Sequence, residues 1–221
     1  MFEDFPGLPV MFITIVALAG LLAGWFWATR TLRPELARRL AIVAAVWAGA
    51  YALVLLAASL TAPTQVLARG QEKRLCGFYL DCHRIVSVVG VQRVRALDLA
   101  GGARRAKGLY YLVTVRVRSD AVAREMRLRG PRVHIVDASG RRFSRDLEAE
   151  QAWARSRRAT KTLDDPLPPG RAMTVDLIFD VAAGARDARL VVRPGWLEQI
   201  SELFLIGDED SLLHPPVTFR L

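Results

Sequence analysis

Two stretches of the chain are apolar all round a helix rather than along one stripe. Leu8 to Thr29 and Leu40 to Ala62 contain no Asp, Glu, Lys, Arg or His. At about 1.5 Å per residue, each makes a helix of roughly 30 Å, the thickness of a bilayer's hydrocarbon core. The pattern predicts two transmembrane helices, over about 8–29 and 40–62.

The periodicity changes beyond His83. Short runs rich in Val, Ile, Leu and aromatics alternate with polar residues, and Gly, Pro and Asp separate them. This is the pattern of strands with one buried face. In Leu109 to Arg118, Tyr111, Val113, Val115 and Val117 fall on one side, and Thr114, Arg116 and Arg118 on the other. Shorter runs are Ile85 to Val94, Arg132 to Val136, Met173 to Val181, Arg189 to Val192 and Val217 to Leu221. Asp137-Ala-Ser-Gly140 and Leu167-Pro-Pro-Gly170 are turn signals between them. So many short strands in one soluble stretch predict a β-sandwich. Asp146 to Thr162 reads as a short helix or an excursion between strands. Trp196 to Ile206 has the spacing of one or two helical turns laid on the sheet. The expected domains are a two-helix hairpin over 1–62, a linker over 63–82 and the sandwich over 83–221.

Charge sets the orientation. Arg30-Thr-Leu-Arg33-Pro-Glu-Leu-Ala-Arg38-Arg39 joins the two apolar runs with four arginines and one glutamate, whereas Glu3 and Asp4 precede the first run. By the positive-inside rule the loop is cytoplasmic, and both termini and the sandwich are extracytoplasmic. A cleaved signal peptide would carry a basic segment and a shorter apolar core, so the first run is read as an anchor. With no ionisable group in either run, nothing suggests a pore or proton path. Gly20 and Gly24 in the first run, and Ala45 and Gly49 in the second, offer small faces for close helix contact. The plainer expectation is an antiparallel hairpin; the sharper one is a homodimer through Gly20-xxx-Gly24.

From residue 63 onward the chain holds 27 Lys and Arg against 19 Asp and Glu. Outside the cell, the polyanions available to such a surface are lipid headgroups and cell-envelope polymers rather than nucleic acid. The expected partners are therefore membrane lipid and either a protein or an anionic envelope component. Trp153, Arg155, Arg157 and Arg158 in one excursion, and Trp196 in the other, form the candidate binding surface, because loops held by a rigid scaffold commonly carry recognition.

Cys76 and Cys82 are the sole cysteines, with five residues between them. On an oxidising side of the membrane, a disulfide is the simplest state. Closing so short a loop contributes about 2 kcal/mol in the chain-entropy model. Zinc held by Cys76, Cys82 and His83 is the alternative, but the spacing fits no usual pattern and a fourth ligand is lacking. His83, His134 and His214 belong to no nucleophile or metal motif. The sequence has no Gly-x-Ser-x-Gly, no Gly-rich phosphate loop and no His-Glu-x-x-His. No catalytic, cofactor or metal residue is assigned, and the expectation is a protein that is not an enzyme. Asp208, Glu209 and Asp210 could meet Ca²⁺, though a solvated turn is the plainer reading.

The order of signals over the soluble part resembles the telokin-like, immunoglobulin-type domain family of bacterial extracytoplasmic proteins. The matching segments are the Leu109 to Arg118 strand, then Val133-His-Ile-Val-Asp-Ala-Ser-Gly-Arg-Arg-Phe143, then Leu167-Pro-Pro-Gly-Arg-Ala-Met-Thr-Val-Asp-Leu-Ile-Phe-Asp180-Val. The resemblance implies an immunoglobulin-like β-sandwich in the bacterial cell envelope and carries over no active site. It leaves out the two helices and the long Trp196 to Ser211 insertion. The expectation is a membrane-anchored extracytoplasmic binding module. The alternatives are an accessory subunit of a larger membrane complex and an envelope enzyme without a recognisable motif.

Overall fold

A computed structural model describes residues 7–77, 81–99, 102–157, 161–200 and 202–221. The chain divides into two compact units, one formed by residues 1–64 and 201–215, the other by 65–200 and 216–221.

The first unit is built on α1 (Gly7–Arg30) and α2 (Pro34–Thr61), each long and apolar enough to cross a membrane. Pro34 opens α2, where its fixed φ suits the first turn and its missing N–H costs nothing. The backbone N–H of Arg33 donates to the carbonyl of Ala28 at 3.0 Å and closes the end of α1. Buried and half-buried positions recur at Met11, Thr14, Leu18, Leu21, Gly24 and Ala28 on α1, and at Ala37, Leu40, Ala44, Tyr51, Leu55 and Ser59 on α2. Steps of three, four and, between Ala44 and Tyr51, seven make one seam along each helix. The outward faces are no less apolar, with Phe12, Ile13, Trp25, Val46 and Leu53 exposed.

The seam differs from the one expected. A Cβ placed on Gly20 or Gly49 meets nothing within 4 Å, while one on Gly24 would lie 3.3 Å from Leu40 Cδ1. Ala45 is exposed. Of the four small residues, only Gly24 sits at the contact, because Gly20, Ala45 and Gly49 fall between the seam positions and face outward.

Residues 202–215 belong to this unit, running as successive turns against the helices. The Tyr51 hydroxyl donates to the Phe204 carbonyl, and the hydroxyls of Ser59 and Ser211 meet at 3.1 Å in a buried contact. The Ile206 backbone lies so close to Gly7 that no side chain fits there. The expected helical turns shrink to α4 (Trp196–Gln199), and the stretch after it leaves the sandwich altogether.

The second unit is a β-sandwich. One sheet has the order β1-β9-β8-β5-β6, from Val66–Leu67, Thr218–Arg220, Arg189–Arg193, Arg132–Val136 and Arg142–Ser144. The other is β2-β3-β4-β7, from Glu72–Gly77, Asp81–Leu99, Gly102–Ser119 and Ala172–Val181. Every pairing is antiparallel except β1 with β9. The core between the sheets holds Val86, Val88, Val113, Val115, Leu177, Phe179, Ile135, Leu190 and Phe219. Two strands lie within the stretch expected to be a linker. The inward position of β1 is Leu67, and those of β2 are Lys73, whose ammonium donates to the Val192 carbonyl at 3.2 Å, and the buried Leu75.

A second apolar cluster lies on the far face of the four-stranded sheet. Leu97, Tyr110, Leu112 and Ile178 pack there beneath Ala149 of α3 (Leu147–Arg157), which touches β3 and β7. β4 is therefore buried on both faces at this end, and Tyr110 and Leu112 break the simple inside-outside alternation.

Candidate functional site

Helix α3 and the sheet beneath it form the most developed surface of the sandwich. Asp146 starts the helix, its carboxylate accepting from the Ala149 N–H at 3.0 Å and filling one of the orphan donors of the first turn. Glu148 and Glu150 occupy that turn, and Arg155 and Arg157 the last, the distribution favoured by the helix dipole. Glu150 accepts from Arg145 Nη2 at 2.6 Å and from the Ile178 N–H at 3.0 Å, tying the helix to β7. Trp153 Nε1 donates to Asp176 Oδ2 at 3.1 Å, and the Arg157 guanidinium lies 4.4 Å from the centre of the indole ring.

Two clefts flank this helix. The first, about 540 Å³, is lined by Gln92, Val94, Leu97, Leu99, Leu112, Trp153 and Arg157, so an apolar floor from β3 and β4 meets an aromatic wall and a cationic rim. The second, about 830 Å³, is bordered by Arg104, Arg105, Lys107, Tyr110, Phe143, Arg145 and Asp180. Much of its charge is spent internally. Arg104 Nη2 contacts Asp146 and Glu148 at 3.2 Å each, and Asp180 accepts from the backbone N–H groups of Lys107 and Gly108 at 2.8 and 3.0 Å. The side chains of Arg105 and Lys107 have no ion pair among the described residues.

Of the expected surface residues, α3 brings together Trp153, Arg155 and Arg157, the arginines exposed and the indole half-buried. Arg158 lies outside the described residues. Trp196, on α4, is 61% exposed beneath the Arg132 guanidinium and lines neither cleft.

Cys76 and Cys82 form a disulfide. This removes both sulfurs as zinc ligands, and His83 Nδ1 instead contacts Asp120 Oδ1 at 2.8 Å, while Arg74 holds the other oxygen at 2.8 Å. Partial burial opposes ionisation of Asp120, but those two hydrogen bonds win and hold its carboxyl below the ordinary carboxylate value. In the acidic loop, Asp208 Oδ1 accepts from the Asp210 N–H at 2.8 Å, a local turn contact.

Arg84 escaped the sequence reading. Its side chain is buried, and its guanidinium donates to the carbonyls of Leu163 at 3.1 Å, Asp165 at 3.3 Å and Met126. Burial lowers its pKa to about 10, against the pull of Glu198 and Asp164, so it stays charged at neutral pH. An arginine in an alternating strand gives no hint that it points inward; only the two facing loops reveal it.

No protein-family model matches the sequence, and no curated protein matches it. Among solved structures, the sandwich is similar to the yjhA protein of Bacillus subtilis, at 14% identity over 72% of this chain and 99% of that one, with a TM-score of 0.45. It is also similar to an uncharacterised β-sandwich protein of Clostridium difficile 630, at 8% identity over 72% and 95%, with a TM-score of 0.40. A third is the secreted protein MPT63 of Mycobacterium tuberculosis, at 13% identity over 62% and 95%, with a TM-score of 0.38.

Proposed function

We propose that the protein is a membrane-anchored, non-catalytic binding module whose sandwich faces the extracytoplasmic side and engages an anionic envelope component through the α3 face. The arrangement that carries this reading is the pairing of an apolar cleft with a cationic rim, Trp153 with Arg157 stacked on it. A guanidinium held over an indole presents donors to an anionic group while the ring offers apolar contact. The anchor is supported by two apolar helices joined by the arginine-rich loop over 30–39, and the outward orientation by that loop and the disulfide. The resemblance to telokin-like, immunoglobulin-type domains agrees with this setting.

The test uses the full-length protein in nanodiscs titrated calorimetrically with inorganic polyphosphate as a model polyanion. Saturable binding that weakens with salt, and drops at least several-fold in Arg155→Ala/Arg157→Ala, supports the reading. Absence of binding by the parent protein overturns the anionic ligand. A second reading, an accessory subunit of a membrane complex, draws on the open positions at Gly20 and Gly49. Its mark is a stoichiometric partner recovered after mild-detergent purification from native membranes.

A further inference from the structure

The stretch between α4 and β9 is the strongest remaining feature. Three contacts pin it to the helices: Phe204 to Tyr51, Ile206 to Gly7 and Ser211 to Ser59. They also fix its depth. Gly7 begins α1, and Ser59 lies two residues before the end of α2, so Ile206 and Ser211 sit level with the outer ends of the apolar helices. Tyr51 lies ten residues before Thr61, about 15 Å further along the helix at 1.5 Å per residue. Phe204 is two residues from Ile206, so its carbonyl lies at most about 7 Å inside that outer level, where the Tyr51 hydroxyl reaches it from a deeper turn.

The order of side chains follows the same gradient. Leu203, Phe204 and Leu205 are at the deep end beside the buried Glu202, and Asp208, Glu209 and the buried Asp210 lie between the two shallow contacts. Phe204, Leu212 and Leu213 are 54, 43 and 61% exposed, although each is large and apolar. Irregular backbone is costly in hydrocarbon unless its polar groups are paired. Here the Leu212 N–H donates to the Leu203 carbonyl at 3.0 Å, the Leu205 N–H to the Glu202 carbonyl at 3.0 Å, and Tyr51 serves Phe204.

Resting on the membrane-anchored reading, we infer that residues 203–213 are a flap inserted in the outer leaflet. Phe204, Leu212 and Leu213 contact acyl chains, and the half-buried Asp208 and Glu209 sit at the headgroup level. The occupant of this apolar surface is lipid, because the flap lies against a helix whose own outward side chains are apolar at the same depth.

The experiment places an environment-sensitive fluorophore on single added cysteines in the full-length protein, with its native disulfide intact, reconstituted in phosphatidylcholine and phosphatidylglycerol vesicles. The sites are Phe204→Cys and Leu213→Cys in the flap, Val46→Cys on the exposed face of α2, and Val122→Cys, 92% exposed on the sandwich. Quenching by nitroxides on the acyl chains is compared with quenching by iodide in the buffer. The expected result is acyl-chain quenching at 46, 204 and 213, with iodide quenching several-fold weaker there than at 122. Lipid quenching at 46 with free iodide access at both 204 and 213 overturns the flap and leaves the anchor standing. Iodide access at 46 overturns the anchor and the flap together.

Discussion

The carboxylate of Asp176 joins two residues from different elements: Oδ2 accepts from Trp153 Nε1 on α3 at 3.1 Å, and Oδ1 from the Thr114 hydroxyl on β4 at 2.8 Å. One side chain on β7 thus sets the angle at which the indole overlooks its cleft. Asp176→Ala removes the acceptor and is expected to cost about 1 kcal/mol, the usual net value of such hydrogen bonds. Trp153→Ala also removes the wall of the cleft and the platform under Arg157. Polyphosphate affinity should fall in both variants, more in the second, while the thermal transition of Asp176→Ala moves by only a few degrees. Unchanged affinity in Trp153→Ala would remove this cleft from the binding surface.

Arg84 makes the opposite kind of bond, one charged group serving three backbone carbonyls inside the fold. Removing it strands acceptors at Leu163 and Asp165, each costing about 1–3 kcal/mol if left unpaired, while the Met126 carbonyl keeps the Leu167 N–H at 2.8 Å. Arg84→Met keeps the volume and loses the donors, and should destabilise the full-length protein by about 3 kcal/mol or more. Arg84→Lys retains charge without the planar fork and should fall between. Chemical denaturation of the three proteins in one detergent orders them. An Arg84→Met protein as stable as the parent would mean that the loops repair their own hydrogen bonds, as replaced buried charges sometimes allow.

Arg84 also shows where sequence reading stops. The strand over Leu109 to Arg118 was legible because its apolar residues fall on alternate positions, and Arg132–Val136 forms β5 as its alternation predicts. β2 was hidden because one of its inward residues is Lys73, a charge at the position where an apolar residue would have announced the strand. Trp153, Arg155 and Arg157 were visible as a cluster. Their cleft was not, since its floor comes from β3 and β4 residues far away in sequence. Trp196 to Ile206 shows a related limit. Its apolar spacing suits a helix, and Trp196–Gln199 forms one turn, but spacing says nothing of which surface the rest will cover, and from 202 onward that surface is α1 and α2.

Asp137 closes the turn between β5 and β6 and should report on acid stability. Its Oδ1 accepts from the Ser139 hydroxyl at 2.6 Å and from the Ser139 and Arg141 N–H groups at 2.9 and 3.0 Å, while Arg141 Nε donates to Oδ2 at 2.8 Å. The Ser139 hydroxyl leads in lowering its pKa from 3.8 to about 2, opposed by burial and aided by Arg141. Between those values the unfolded chain binds more protons than the folded one, so stability rises with pH across the window. The contribution is complete above about pH 4 and is lost as pH falls through about 2. The Tm difference between parent and Asp137→Asn should be greatest near pH 5 and shrink toward pH 2. A difference that stays constant over that range would assign the effect to turn geometry rather than to ionisation.

Gly20 and Gly24 are one helical turn apart, yet they face different surroundings, and this separates the hairpin from anything that binds it. At Gly24 a branched side chain must push against Leu40, whereas at Gly20 there is open space. Gly24→Ile should loosen the α1–α2 seam, at the 1–3 kcal/mol typical of overpacking, seen as a lower Tm in detergent. Gly20→Ile should leave that Tm unchanged, because its side chain points away from α2. Any loss of a co-purifying subunit, or of a homodimer in mild detergent, that occurs in Gly20→Ile at constant Tm therefore reports an intermolecular contact on the outer face of α1. Equal destabilisation by both substitutions would mean that the seam runs through Gly20 as well, and would contradict the helix pairing described above.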